Sequence, residues 1–334
     1  MTPRRSIIPI FVPHLGCPHF CVFCNQNRIS GSEKPATADD VRRTIEESLS
    51  RLGEGAEPVV AFYGGSFTAI PESEQEALLS AAYEYVKTGR VRDLRLSTRP
   101  DAIDGAVISR LKKYGVRTVE LGVQSMDEDV LRASGRGHTA MDAERAAKAI
   151  KCAGFELILQ MMTGLPGDTA EKDVSTAKKF IELKPDGVRI YPTVIVKDTE
   201  LFELWKNGSY KEHTVEDAVE LGAELLDMFE AAGIPVIRFG LNPTEDLSNG
   251  DAAGGAYHPA LRELAEARRY LKLERSLLSR EDEGKEIVFA VQKGRLSQAV
   301  GQGRANKNAL ISEYGLKSAL FTERDMSEKL IRIK

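Results

Sequence analysis

Short runs of β-branched and other apolar residues alternate along the chain with longer stretches in which apolar residues recur every three or four positions. The short runs fall at 7–12, 59–62, 93–97, 118–123, 156–160 and 187–190 and read as strands. The longer stretches predict helices over 38–52, 72–87, 103–114, 127–133, 141–153 and 169–183. Local punctuation agrees with these limits. Thr37 stands where a helix cap belongs, and Pro71 precedes a first helical turn. Gly115 and Gly154 stop two helices, and Pro185 follows a third. Strand and helix alternate, with two successive helices before the fifth strand, and this predicts βα units that build a parallel sheet, an α/β fold. Beyond Tyr191 the pattern changes. Helices are expected at 200–206 and 214–232, a short strand at 236–237, and a Gly/Asn/Asp-rich loop at 240–255. A helix of mixed charge with a solvated face follows at 258–278, then a small α+β appendage over 286–334. A boundary near 240–256 divides the chain into a core at 1–240 and an extension at 241–334.

The polar and glycine-rich elements all fall at the C-terminal ends of the predicted strands. Gly64-Gly65-Ser66 follows the second, Ser97-Thr98-Arg99-Pro100-Asp101 ends the third, and Gly122-Val123-Gln124-Ser125 ends the fourth. Gln160 through Gly167 closes the fifth, and Tyr191-Pro192-Thr193 the sixth. In a barrel of parallel strands those ends converge on one mouth, where catalytic groups gather. The Gly64-Gly65 pair lets backbone approach a polar ligand. Gln124 and Arg136 suit a ribose hydroxyl and a carboxylate. Met161 and Met162 read as core, and the Gly164-Leu165-Pro166-Gly167 turn as structural.

Three of the 4 cysteines, Cys17, Cys21 and Cys24, lie within eight residues in a C-x3-C-x2-C spacing. Three thiolates hold three corners of a four-iron cluster and leave one iron open. The same segment fits a zinc site with His14 or His19 as fourth ligand, although structural zinc usually draws on two separated pairs. Cys152, at a helix end, reads as a buried free thiol. With 42% hydrophobic and 29% charged residues, 334 residues support a large core, and a net charge of −4 does not advertise a nucleic-acid binder. One local tract does: 292–308 holds Lys293, Arg295, Arg304 and Lys307 and no acid. Inside it, Gln298-Ala299-Val300-Gly301-Gln302-Gly303 suggests an anion site at the helix starting near Arg304. No apolar run reaches the roughly 20 residues of a membrane span, and no signal peptide is evident, so a cytoplasmic protein without membrane contact is expected.

Taken together, these residues resemble the radical S-adenosylmethionine (SAM) superfamily, through the cysteine spacing and the Gly-Gly after the second strand. The finer likeness is to the radical SAM core of the Elongator catalytic subunit, a tRNA-modifying family. It rests on Ser97-Thr98-Arg99-Pro100-Asp101, Glu120-Leu121-Gly122-Val123-Gln124-Ser125, Arg136-Gly137-His138-Thr139, Met161-Met162-Thr163-Gly164-Leu165-Pro166-Gly167 and Ile190-Tyr191-Pro192-Thr193, in that order. A looser likeness is to oxygen-independent coproporphyrinogen oxidases. The resemblance implies a partial (β/α)6 TIM-like barrel with the small α+β appendage after it. It implies a [4Fe-4S] cluster on Cys17, Cys21 and Cys24, with S-adenosyl-L-methionine on the open iron. Gly64, Gly65 and Ser66 would meet the methionyl end, and Phe23 the adenine. Ser97 stands where that family usually has a glutamate, and Gln124, Arg136 and Gln160 match positions that hold ribose and carboxylate. A reductant such as flavodoxin or ferredoxin would feed the cluster, and cleavage of SAM would give a 5′-deoxyadenosyl radical. The substrate implied is tRNA. The Elongator family carries an acetyltransferase domain after its barrel, for which the residues beyond Pro243 are too few. That favours, as alternatives, a small porphyrin-like or metabolic substrate, or a non-enzymatic zinc- or cluster-bearing module. No residue is assigned as the substrate-side catalytic group.

Overall fold

The structure is a computed structural model and describes residues 4–12, 21–24, 36–53, 55–241 and 251–334. Each apolar run becomes a strand: β1 (Arg4–Val12), β2 (Ala56–Gly64), β3 (Asp93–Thr98), β4 (Val116–Gln124), β5 (Glu156–Thr163) and β6 (Gly187–Pro192). The strands outrun their apolar kernels because the parallel ladder continues into flanking polar residues, as where Arg4 pairs with Ala56. After β7 (Val194–Val196) comes β8 (Val236–Phe239), which completes a 7-stranded sheet in the order β1-β2-β3-β4-β5-β6-β8. All its pairings are parallel, and the sheet curls into a half-barrel.

The crossovers are helical: α1 (Ala38–Arg51), α2 (Glu72–Lys87), α3 (Gly105–Lys113), α4 (Glu128–Ala133), α5 (Ala140–Cys152) and α6 (Ala170–Leu183). Past β7 lie α7 (Glu200–Lys206) and α8 (Val215–Ala231). Threonine starts many of them. Thr37, Thr139 and Thr214 each form a capping box with an aspartate three residues on, so two otherwise orphaned backbone N–H groups are satisfied reciprocally.

Alternation along the strands sorts residues between two faces. Ile8, Ile10, Val60, Phe62, Leu96, Leu121, Leu159 and Ile190 are buried under the helices, against Val41, Ile45, Leu79, Ala146 and Phe229. Fully burying each such large side chain contributes about 1.5–3 kcal/mol. The other face, inside the curl, carries Tyr63, Arg95, Ser97, Glu120, Gln160, Arg189 and Tyr191. Met161 is fully buried on the helix side, as expected of core, whereas Met162 is half-buried on the inner face.

Three expectations are corrected. The 240–255 loop contains a strand, β9 (Ala252–Gly255), antiparallel to β7. Its Ala-Ala-Gly-Gly sequence has no strand signal. Gly255 takes φ +83, and a Cβ there would lie 2.6 Å from Thr193 O, so the close approach requires glycine. Next, α9 (Leu261–Ser276) is not a mainly solvated helix. Leu261 and Ala265 enter the main core, while Leu271 joins a second core with Ile287, Phe289, Leu310, Leu316 and Ala319. Finally, Cys152 is exposed. The buried face of α5 is Ala143, Ala146, Ala147 and Ile150, and two residues beyond Ile150 the helix has turned about 200°.

The second core lies under a three-stranded sheet. β10 (Glu286–Gln292) runs parallel to β11 (Ser318–Arg324) and antiparallel to β12 (Leu330–Arg332), with α10 (Leu296–Val300) and α11 (Ala305–Tyr314) in the parallel crossover. The glycine turn before α11 serves packing. A Cβ on Gly301 would lie 2.8 Å from Asn306 N, and buried Asn306 donates its amide to Ala267 O (2.8 Å), Ala299 O (3.1 Å) and Gln298 O (3.3 Å). The helix start expected to face an anion therefore faces its own turn. Among the described residues, no helix is long and apolar enough to cross a membrane.

Candidate active site

The site grows from the C-terminal end of β4. Gln124 has φ 71, a left-handed conformation uncommon for a residue with a side chain. The β4–β5 register slips there, pairing Gly122 with Gln160 and Gln124 with Met161. The bulge brings Gln124 against Gln160, whose Nε2 donates to Gln124 Oε1 at 3.3 Å. Gly122 leaves the room: a Cβ there would lie 3.1 Å from Gln124 Nε2 and 3.6 Å from Arg136 Nη2.

Arg136 lies between α4 and α5. Its backbone N–H donates to Leu131 O (3.0 Å), and its carbonyl accepts from Nη2 of buried Arg99 (2.8 Å). Its guanidinium donates to Gly122 O and, through Nη1, to Cys21 Sγ at 3.2 Å. Its Nε is buried and has no partner among the described residues. Beside it, His138 Nε2 lies 3.1 Å from Val123 O, so that nitrogen carries the proton. Burial, then the charge of Arg136, pushes His138 down to about 4, which keeps it neutral near pH 7.

The Cys21–Cys24 turn closes with Cys24 N donating to Cys21 O at 3.0 Å. It is clamped on both sides, by Val22 N to Ser134 O (3.2 Å) and by Leu201 N to Val22 O (2.8 Å). Val22 is buried with Ile195, Leu201 and Tyr210, and Phe23 packs at the edge of that cluster. Both thiols of this turn are half-buried. Cys17, His14 and His19 lie outside the described residues.

At the β2 end, Gly64 has φ +105, with Val12 O 3.3 Å from where a Cβ would stand. Gly65 is half-buried and Ser66 buried. Thr68 Oγ1 and Thr98 Oγ1, 2.7 Å apart, tie this loop to the β3 end, next to half-buried Ser97. At the β5 end, Gly164 has φ +70 and faces the His213 ring, 2.2 Å from a hypothetical Cβ. Tyr210 OH donates to Gly164 O at 2.6 Å. The turn is structural, as its sequence suggests.

Sequence reasoning missed one cluster. Glu120, 3% exposed, accepts from Tyr63 OH (2.9 Å) and Arg95 Nη2 (2.5 Å), and Arg189 Nε lies 2.8 Å from its other oxygen. Burial and the neighbouring Glu120 charge push the Tyr63 phenol well above its usual value. The available signal was a charged residue set between two apolar ones inside each of three strands: Leu94-Arg95-Leu96, Val119-Glu120-Leu121 and Val188-Arg189-Ile190.

A parallel half-barrel whose C-terminal strand ends gather thiols, a guanidinium and paired amides is an enzyme scaffold of the partial-barrel class. The chain belongs to the radical SAM superfamily: the description "Radical SAM superfamily" matches residues 11–180, and "Radical_SAM C-terminal domain" matches 185–272. It is 30% identical over 301 residues to Elongator complex protein 3 of Homo sapiens, covering 77% of this chain and 54% of that protein. The chain spans about half the length of the curated relatives it matches. The archaeal Methanocaldococcus infernus Elp3 with an N-terminal deletion shares the fold, at TM-score 0.62 and 23% identity over 83% of this chain and 64% of that one. Escherichia coli coproporphyrinogen III oxidase shares it at TM-score 0.50 and 18% identity, over 69% of this chain and 54% of that one. Membership of the superfamily implies in general a [4Fe-4S] cluster and SAM.

Proposed function

We propose that this chain is a radical SAM enzyme that modifies tRNA. Cys17, Cys21 and Cys24 would hold the cluster, and Gly64, Gly65, Ser66, Ser97, Gln124, Arg136 and Gln160 would hold SAM, with Phe23 beside the adenine. The observation that carries this reading is Arg136, whose guanidinium reaches Cys21 Sγ at 3.2 Å while its buried Nε lacks a partner among the described residues. A buried donor left orphaned beside a thiol suits an anionic ligand group arriving there. The bound cofactors would supply one-electron reductive cleavage of the SAM sulfonium to a 5′-deoxyadenosyl radical. The residues themselves bind and orient. The Gln124–Gln160 pair presents amide groups suited to hydroxyls, and Gly64 permits backbone approach. The clamped Cys21–Cys24 turn would hold two of the three cluster ligands in place. The likeness to Elongator complex protein 3 supports the tRNA substrate.

Anaerobic reconstitution tests the reading. Roughly four iron and four sulfide per chain are expected, with 5′-deoxyadenosine formed from SAM after dithionite reduction. Cys21→Ala should abolish that product. Deuterium transfer into deoxyadenosine from labelled total tRNA, and not from labelled metabolites, is the expected substrate result; zinc in place of iron would overturn the enzyme itself.

A further inference from the structure

We infer that the inner face of the half-barrel carries a phosphate site, formed by Arg95 and Arg189 around Glu120, that seats one nucleotide extruded from an RNA strand. The inference rests on the tRNA reading above and deepens it by giving the substrate a subsite.

Glu120 anchors both guanidiniums. One oxygen accepts from Tyr63 OH (2.9 Å), Arg95 Nη2 (2.5 Å) and Arg189 Nη2 (3.4 Å), and the other lies 2.8 Å from Arg189 Nε. Two guanidiniums share this single carboxylate, which leaves the cluster one positive charge in excess. They bring about ten N–H donors to it, and Arg95 Nε has no partner among the described residues. The arginine side chains are 12% and 15% exposed, so they are held firmly yet reach the inner surface. Surplus positive charge in a half-buried place is costly without an anion. A planar donor fork is suited to phosphate and carboxylate oxygens.

The surroundings favour a nucleotide. Phe11, 40% exposed, stands opposite Tyr63 in the β1–β2 register. Half-buried Tyr191 takes a long hydrogen bond from Arg189 Nη1 at 3.4 Å. Aromatic faces for a base beside guanidiniums for a phosphate are the pairing by which proteins hold single-stranded RNA. An enzyme acting on a base must take that base out of its stack. A small carboxylic acid would engage the arginines and leave the aromatic surface unused.

Calorimetry on the full reconstituted chain tests this, with ribonucleoside 5′-monophosphates, the matching nucleosides, and succinate as a carboxylate probe. Monophosphates should bind at least about tenfold more tightly than nucleosides and weaken as salt rises. Arg95→Gln and Arg189→Gln should each lower monophosphate affinity about tenfold or more. Glu120→Gln keeps the shape, removes the competing carboxylate and should raise that affinity, which a merely structural ion cluster would not do. Equal binding of nucleosides and monophosphates, no binding of either, affinity unchanged across the three variants, or preference for succinate would each overturn the site. Deoxyadenosine formation is followed in the same preparations. Its absence from the wild-type protein counts against the enzymatic reading, whereas intact cleavage with variant-insensitive monophosphate binding sinks the phosphate site alone.

Discussion

Replacing Glu274 with Gln should stabilise this protein at neutral and alkaline pH. Glu274 is fully buried in α9, and neither carboxyl oxygen has a hydrogen-bond partner among the described residues. Leu271, three residues before it on the helix, packs in the second core, so the carboxyl shares its face. Adjacent Arg275 turns to Glu313 instead, with contacts of 2.6 and 2.9 Å. Burial pushes Glu274 from 4.5 up to about 8, only partly opposed by the Arg275 charge. Between those two values the folded protein holds a proton that the unfolded chain has released. The associated stability is therefore complete below pH 4.5 and is lost as pH rises towards about 8. At about 1.4 kcal/mol per unit, the loss is about 3 kcal/mol at pH 7 and approaches about 5 kcal/mol above pH 8. Glutamine matches the protonated acid in shape and cannot ionise. Urea denaturation at pH 5, 6, 7 and 8 should give near-equal midpoints at the acid end and a growing advantage for Glu274→Gln above it. A difference that stays flat with pH, or a variant less stable than wild type at pH 8, would refute the reasoning. Because α9 joins the main core to the second, the same titration should loosen the C-terminal sheet first. Amide exchange in β10 and β11 would show that directly.

Gly222 sits inside α8, where alanine ordinarily gains about 1 kcal/mol. Here a Cβ would lie 2.2 Å from Phe239 Cζ, so Gly222→Ala should instead lower stability by about 1–3 kcal/mol, read by thermal melting; a raised melting temperature would count against the packing. Asp173 is buried against Asp168, and burial, reinforced by that neighbouring carboxylate, raises its pKa. Its contribution is therefore present in acid and lost as pH rises. Asp173→Asn can still accept from Gly164 N, as Asp173 Oδ2 does at 3.3 Å, and should flatten the fall in melting temperature between pH 6 and 9. Parallel curves for the two proteins would contradict the raised pKa of Asp173.

The first six strands, the helices between them and the Thr37 cap were legible in the chain, because each depends on residues within a few positions of one another. The apolar period sets which face is buried, and a cap needs only a threonine and an aspartate three residues later. The cysteine spacing and the Gly64-Gly65 pair were legible for the same reason. What folding alone decided lies between distant segments. Arg95, Glu120 and Arg189 meet because three parallel strands adopt one register. Arg136 meets Cys21 across 115 positions of chain. β9 exists only because β7 offers it a partner, and α9 is buried at both ends because two cores close on it. Local sequence fixes a residue's conformation and which way it faces. Which charges then share a space depends on register and on chain closure, and those are properties of the assembled sheet.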